Sequence, residues 1–225
     1  MKIRAKFSKK GMIRFVGHLD FMRHFQRIVK MAKLPVAYSQ GFNPHALLYF
    51  ALPIPVGMES MGDYLELVLT EDMPVQEIKD RLNSVLNNDI RIIDVYEIED
   101  KSPTLMSLVE AADYEIKLYG YDTNDLNSKI LESALNQESL MVIKKGKKGD
   151  KEVDIKPLIL GYELDEVGKN IIIALKCYAG SSSNLNPDLF LKAITNGADY
   201  QAKTSRKEMY TTFNDELVPI SAVRK

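Results

Sequence analysis

His18, Asp20 and His45 carry the side chains best suited to proton transfer or metal binding in this 225-residue chain, which has only one further histidine, His24. Imidazole titrates near neutral pH, and imidazole with carboxylate is a good ligand set for zinc and similar ions. The spacing is not that of a zinc signature. In His18-Leu19-Asp20, successive side chains stand about 100° apart around a helix. Gly17-His18-Leu19-Asp20 also has the form of a helix start, where His18 or Asp20 would satisfy free backbone N–H groups. His18, Asp20 and His45 therefore stand as catalytic candidates beside a purely structural role, and no metal site is assigned. The segment 39–45 follows the first helix and leads into the next strand. His18, Asn43 and His45 are accordingly expected to converge on one pocket.

Ser39-Gln40-Gly41-Phe42-Asn43-Pro44-His45 lies in a run from Val36 to Met58 that contains no Lys, Arg, Asp or Glu. An aromatic ring among amides can hold a nucleobase by stacking on Phe42 and pairing with Asn43 or Gln40. The same residues can equally form a rigid turn whose polar groups bond their own backbone. Gln40, Phe42, Asn43 and His45 are the substrate-binding candidates. Arg23, Arg27 and Lys30 fall at i, i+4, i+7, a cationic stripe that suits phosphates through counterion release. Lys144, Lys145, Lys147, Lys148 and Lys151 crowd eight residues at a hairpin tip and complete the nucleic-acid-binding candidates. The bland readings are a solvated helix face and a solubilising turn.

These groups need elements to position them. Lys2–Ser8 alternates apolar and basic residues, the signature of a half-buried strand. Met12–Val16 extends or pairs with it. Leu19, Met22, Phe25, Val29 and Ala32 share one helical face, so His18–Lys33 reads as an amphipathic helix ending before Pro35. Strands follow at Ala46–Leu52 and Tyr64–Leu69. A helix opens at Pro74 with Val75, Ile78, Leu82, Val85 and Leu86 buried, and Ile90–Ile98 forms a fourth strand. The order β-α-β-β-α-β is the ferredoxin-like, split-βαβ arrangement. Residues 99–110 read as a linker with a short helical piece. From Tyr114 the order begins again, through a helix at Asp125–Asn136, the lysine hairpin, strands at Tyr162–Val167 and Ile171–Tyr178, a helix at Pro187–Ile194 and a last strand near Tyr200–Tyr210. The fold class expected is α+β, with two tandem ferredoxin-like units at 1–98 and 111–225. The polar stretch Lys203–Lys225 is expected to fray at its end.

Composition narrows the function. With 45% hydrophobic and 27% charged residues the chain can bury a core. No segment reads as a membrane span, since Pro35, Pro44, Pro53 and Pro55 break the uncharged run, and no signal peptide is visible. One cysteine fits a reducing cytoplasm and cannot build a three-cysteine iron–sulfur site within the chain. GxxxxGK[ST], GxGxxG and GxSxG are missing, so nucleotide cradles and a nucleophile elbow have no support. No cofactor is expected in this chain. The net charge is −1, yet residues 1–35 hold ten Lys/Arg against Asp20 alone, and residues 59–115 hold fifteen Asp/Glu against four Lys/Arg. The basic end either draws phosphate-rich partners or is neutralised within the molecule.

Three segments, 14–23 (RFVGHLDFMR), 34–45 (LPVAYSQGFNPH) and 153–159 (VDIKPLI), resemble the bacterial radical-SAM-linked proteins, found beside or fused to a cobalamin-type radical SAM protein. The resemblance spans nearly the whole chain. It implies a stand-alone companion of a radical SAM enzyme and supplies no catalytic residue. The leading expectation is a non-catalytic accessory protein that presents a substrate such as structured RNA. The alternatives are an endoribonuclease of the CRISPR-processing type with a histidine as general acid/base, and a small-molecule or metal binder at His18/His45.

Overall fold

The computed structural model describes residues 1–146 and 149–224. It is a mixed α/β protein whose cores are mostly sheet. The chain divides into two compact units, Met1–Glu110 with Arg206–Lys225, and Ala111–Ser205. The expected second unit of 111–225 is thus shortened. Residues 206–225 return to the first unit, because Arg206 and Glu208 find their charge partners there.

In the first unit the strands are β1 (Lys2–Lys9), β2 (Leu48–Phe50), β3 (Glu59–Val68) and β4 (Ile90–Ile98), with helices α1 (His18–Met31) and α2 (Val75–Val85). β1 lies between β4 and β3, antiparallel to both, and the short β2 pairs with β3 at Leu65–Leu67. A single helical turn, α3 (Leu105–Leu108), occupies the stretch expected as a linker. Ile3, Ala5 and Phe7 of β1 are fully buried. Phe7 meets Phe21 and Phe25 of α1 and Phe50 of β2 at centroid distances of 5.5–6.0 Å, and such tilted aromatic pairs add to area burial.

Two expectations shift. β1 is covered on both faces rather than one, since Arg4 is as buried as its apolar neighbours. Met12–Val16 makes no strand. Gly11–Phe15 forms a 3-10 turn instead, entered through Gly11 at φ 63°. The buried stripe of α1 keeps the expected Phe25, Val29 and Ala32 but differs in its first turn. Phe21, Phe25, Ile28 and Val29 face inward, while Leu19 is 63% exposed. The rings at 21 and 25 bury more apolar area than Leu19 and Met22, and that fixes the rotation of the helix.

β10 (Gln201–Phe213) is longer than the strand expected near Tyr200–Tyr210, and the described residues after it are held: β11 (Glu216–Pro219) pairs with it, and Ile220 is wholly buried. Beside β3, Gly62 lies so near Lys207 that a Cβ there would sit 2.2 Å from the Lys207 carbonyl oxygen. The second unit holds β5 (Ala111–Tyr119), α4 (Ser128–Leu135), the separate hairpin β6 (Met141–Lys144) with β7 (Lys151–Asp154), β8 (Ile159–Val167), β9 (Asn170–Tyr178) and α5 (Pro187–Thr195). β9 runs antiparallel between β5 and β8. Cys177 sits inside β9, and burial pushes its thiol up to about 12. No described helix is long and apolar enough to cross a membrane.

The Gly62 contact gives a test of the first unit's closure. Gly62→Ala forces two backbones apart, and overpacking of this kind costs about 1–3 kcal/mol. The expected result is a urea midpoint well below that of the parent chain, with an unchanged slope.

Candidate nucleic-acid interface

The outer face of α1 is set by the helix period. With Phe21, Phe25, Ile28 and Val29 turned inward, Arg23, Arg27 and Lys30 point to solvent. Asp20 is exposed as well and pairs with Arg23 at 3.0 Å, an i,i+3 contact between side chains 70% and 68% exposed. Such a pair is screened and contributes little to stability. Lys30 lies 5.9 Å from the ring centre of Tyr38. The basic stripe therefore runs directly into the charge-free loop.

That loop is clasped at its base. Tyr38 bridges Ala46, the Ser39 N–H donates to the His45 carbonyl at 2.9 Å, and the His45 N–H donates to Ser39 Oγ at 3.1 Å. Ser39 Oγ and His45 Nδ1 are also 2.9 Å apart. The turn is thus held by Ser39 and His45, which leaves the residues between them outside the bonding. Gln40, Phe42 and Asn43 are exposed, and Phe42 is as open to solvent as a free side chain. A wholly exposed phenyl ring on a fixed loop is a costly feature for a surface with no partner.

His18 and His45 have different partners. The His18 ring stands edge-on to Phe50 at 5.9 Å, whereas His45 Nδ1 is engaged by Ser39. No described contact joins His18, Asn43 and His45, and among the described residues no group of three His, Cys, Asp or Glu is placed to hold a metal.

In the second unit, Lys144 and Lys151 are direct cross-strand partners in the β6–β7 hairpin, and both are exposed with Lys145. Like charges opposite one another repel, so an anion between them is favoured. Lys147 and Lys148 lie outside the described residues. On its other side the hairpin borders a groove of about 620 Å³ between α4 and α5, lined by Lys129, Ser133, Gln137, Ser139, Met141 and Asn196.

Sequence reasoning missed the charges beneath α1. Lys9, Asp63 and Arg206 are all about 1% exposed. Arg206 grips Asp63 with two bonds, Nε to Oδ1 at 2.7 Å and Nη2 to Oδ2 at 3.0 Å, and donates to the Leu52 carbonyl at 3.2 Å. Lys9 Nζ donates to the Val16 carbonyl at 3.1 Å and lies 4.5 Å from the Phe21 ring centre. Burial holds its pKa below the ordinary lysine value, with Asp63 opposing and Arg206 adding to the shift. The Lys9–Phe21 contact and the His18–Phe50 contact belong to the same aromatic cluster. The signal available in advance was small: a lysine prolonging an alternating strand, and an aspartate next to a glycine.

The fold and site define a mixed α/β protein with a cationic helix beside a clasped aromatic loop. The chain belongs to the family described as "Uncharacterized protein conserved in bacteria (DUF2344)", which matches residues 2–187. No curated protein matches it. Among solved structures it is similar to a chain of a Cbf5-Nop10-Gar1 complex, at 8% identity and a TM-score of 0.53. That likeness covers 92% of this chain and 48% of the other, so the present chain spans about half the length of the one it matches. At this identity the likeness shows the fold alone.

His24 supplies a pH test of α1. Its Nε2 is buried without a hydrogen-bond partner, and burial, then the charge of Arg27, lowers its pKa below the ordinary 6.5. The unfolded chain therefore binds the proton more readily, so the stability from a neutral His24 is complete above 6.5 and is lost as pH falls through the lower folded value. Urea midpoints measured between about pH 7 and 5 should fall in the parent and fall less steeply in His24→Gln.

Proposed function

We propose that this protein is a non-catalytic, cytoplasmic companion of a radical SAM enzyme that helps present a substrate such as structured RNA. The observation that carries the RNA part is the junction of the Arg23, Arg27 and Lys30 face with the clasped loop, through Lys30 and Tyr38. Cations that track a backbone beside an open aromatic ring are the usual means of holding single-stranded or looped nucleic acid. The opposed Lys144 and Lys151 of the hairpin offer a second phosphate contact. The radical SAM partner rests on the resemblance of segments 14–23, 34–45 and 153–159.

We read both units as ferredoxin-like. In the first, β3 enters between β1 and β2, with α1 in the crossover; in the second, β9 enters between β5 and β8, with α4 and the lysine hairpin in the crossover. The hairpin is then an insertion into an otherwise regular unit. The endoribonuclease and the His18/His45 binder gain no support from the geometry, because His18 packs on Phe50 and His45 Nδ1 on Ser39.

Two variants and two assays test the proposal. Changing Arg23, Arg27 and Lys30 together to alanine should flatten the log–log salt dependence of RNA binding by about two to three units, since each phosphate contact contributes about 0.7 to 0.9. Phe42→Ala should weaken binding to unpaired RNA by about 1–3 kcal/mol and leave that salt slope unchanged. If the triple variant instead loses the radical SAM protein on copurification and keeps its RNA binding, the face serves the protein partner. No change in either assay removes the physical basis of the reading.

A further inference from the structure

The face of the first sheet turned away from α1 and α2 holds a second polar layer. Arg4 and Tyr96 are direct cross-strand partners on β1 and β4, so their side chains share this face. Arg4 is completely buried and Tyr96 is 3% exposed. Arg4 uses two of its nitrogens: Nε donates to Glu66 Oε2 at 3.1 Å, and Nη2 donates to the Pro103 carbonyl at 2.5 Å. Its third nitrogen, Nη1, is buried with no partner. The same holds for the Tyr96 hydroxyl and for Ser102 Oγ, next in sequence to the carbonyl that Arg4 holds.

A guanidinium nitrogen and two hydroxyls, all buried and none bonded to a protein group, each forfeit their hydration, and such a group calls for a partner from outside the chain. Charge points the same way. Lys2 and Arg4 share the single carboxylate of Glu66 at 3.1 Å each. Of the acids that act on Tyr96, Glu208 is bonded to Lys6 and Tyr64 and Asp94 to Arg224, while Glu99 and Asp100 of the covering turn are exposed to solvent. Lys2, Arg4 and Glu66 together thus carry one positive charge in excess, and the guanidinium among them is fully buried, where an uncompensated charge is strongly unfavourable.

We propose that Arg4 Nη1, the Tyr96 hydroxyl and Ser102 Oγ form an oxyanion site, which takes one oxygen of a small carboxylate or phosphate monoester beneath the turn at 99–103. The guanidinium supplies the charge and one donor; the two hydroxyls supply the others. Ser102 is only half-buried and Arg224, over the Tyr96 ring at 5.2 Å, is largely exposed, so the guest enters at this edge.

The test is calorimetric titration of the full chain with sodium phosphate and, separately, sodium acetate, against chloride at matched ionic strength. Saturable one-to-one binding of either is expected, and the anion that binds tells phosphate from carboxylate. Tyr96→Phe and Ser102→Ala should each weaken that binding about tenfold or more, the worth of one hydrogen bond to a charged group. Without added anion, Tyr96→Phe should unfold at no lower a temperature than the parent, because it deletes an unpaired hydroxyl and nothing else. Absence of saturable binding by both anions, or affinities unchanged in both variants, overturns the proposal. So does a lower unfolding temperature of Tyr96→Phe in chloride alone, which would assign the hydroxyl to a buried water.

Discussion

The bidentate pair of Asp63 with Arg206 is the contact on which the first unit depends. Its partners stand 143 residues apart, and both are sealed from water. Two ions so deeply buried interact favourably only when their geometry is nearly ideal and their remaining groups are bonded, and here both carboxylate oxygens are used. The pair fixes where β10 lies against β3. Only at that position does the Lys207 carbonyl fit the space that Gly62 leaves open.

From this anchoring follows the division of the basic residues. The cations of the first 35 residues separate into two populations. Lys2, Arg4, Lys6, Lys9 and Arg14 turn inward, onto Glu66, Glu208, the Val16 carbonyl and Glu59. Arg23, Arg27, Lys30 and Lys33 remain outside with Lys10. The inward cations are thus partnered within the molecule, while those on the outer face of α1 stay in solvent. The sheet absorbs the charges that alternation placed along a strand. The helix keeps those that its period placed opposite Phe25.

Periodicity made the elements legible, and it did so where one face is apolar. Ile3, Ala5 and Phe7 marked β1, and Ile78 and Leu82 marked α2, because burial repeats with the geometry of the element. Along α1 the expected residues Phe25, Val29 and Ala32 are buried, and only the first turn differs, since Leu19 and Phe21 have similar hydrophobicity and only the ring cluster distinguishes them. Arg206 was not legible at all. A lone arginine in a polar strand looks like a solvated one, and its partner lies in a distant segment with no pattern linking the two. The same blindness hid Arg4, whose alternation suggested solvent while Glu66 and Pro103 enclosed it. Phe42 was visible as an aromatic in a polar loop, but its full exposure depends on the clasp between Ser39 and His45.

The chain leaves the first unit after Glu110 and re-enters it at Arg206, and synthesis proceeds from the N-terminus. While the second unit is still being translated, Asp63 has no Arg206, Lys6 has no Glu208, and β3 around Gly62 is an open edge that any extended segment can pair with. The newborn protein thus passes through a stage in which β1 to β4 are made but the sheet is unsealed on one side. Protection at that stage has to come from outside the chain or from speed, because the strand that closes the edge emerges only after the whole of the second unit.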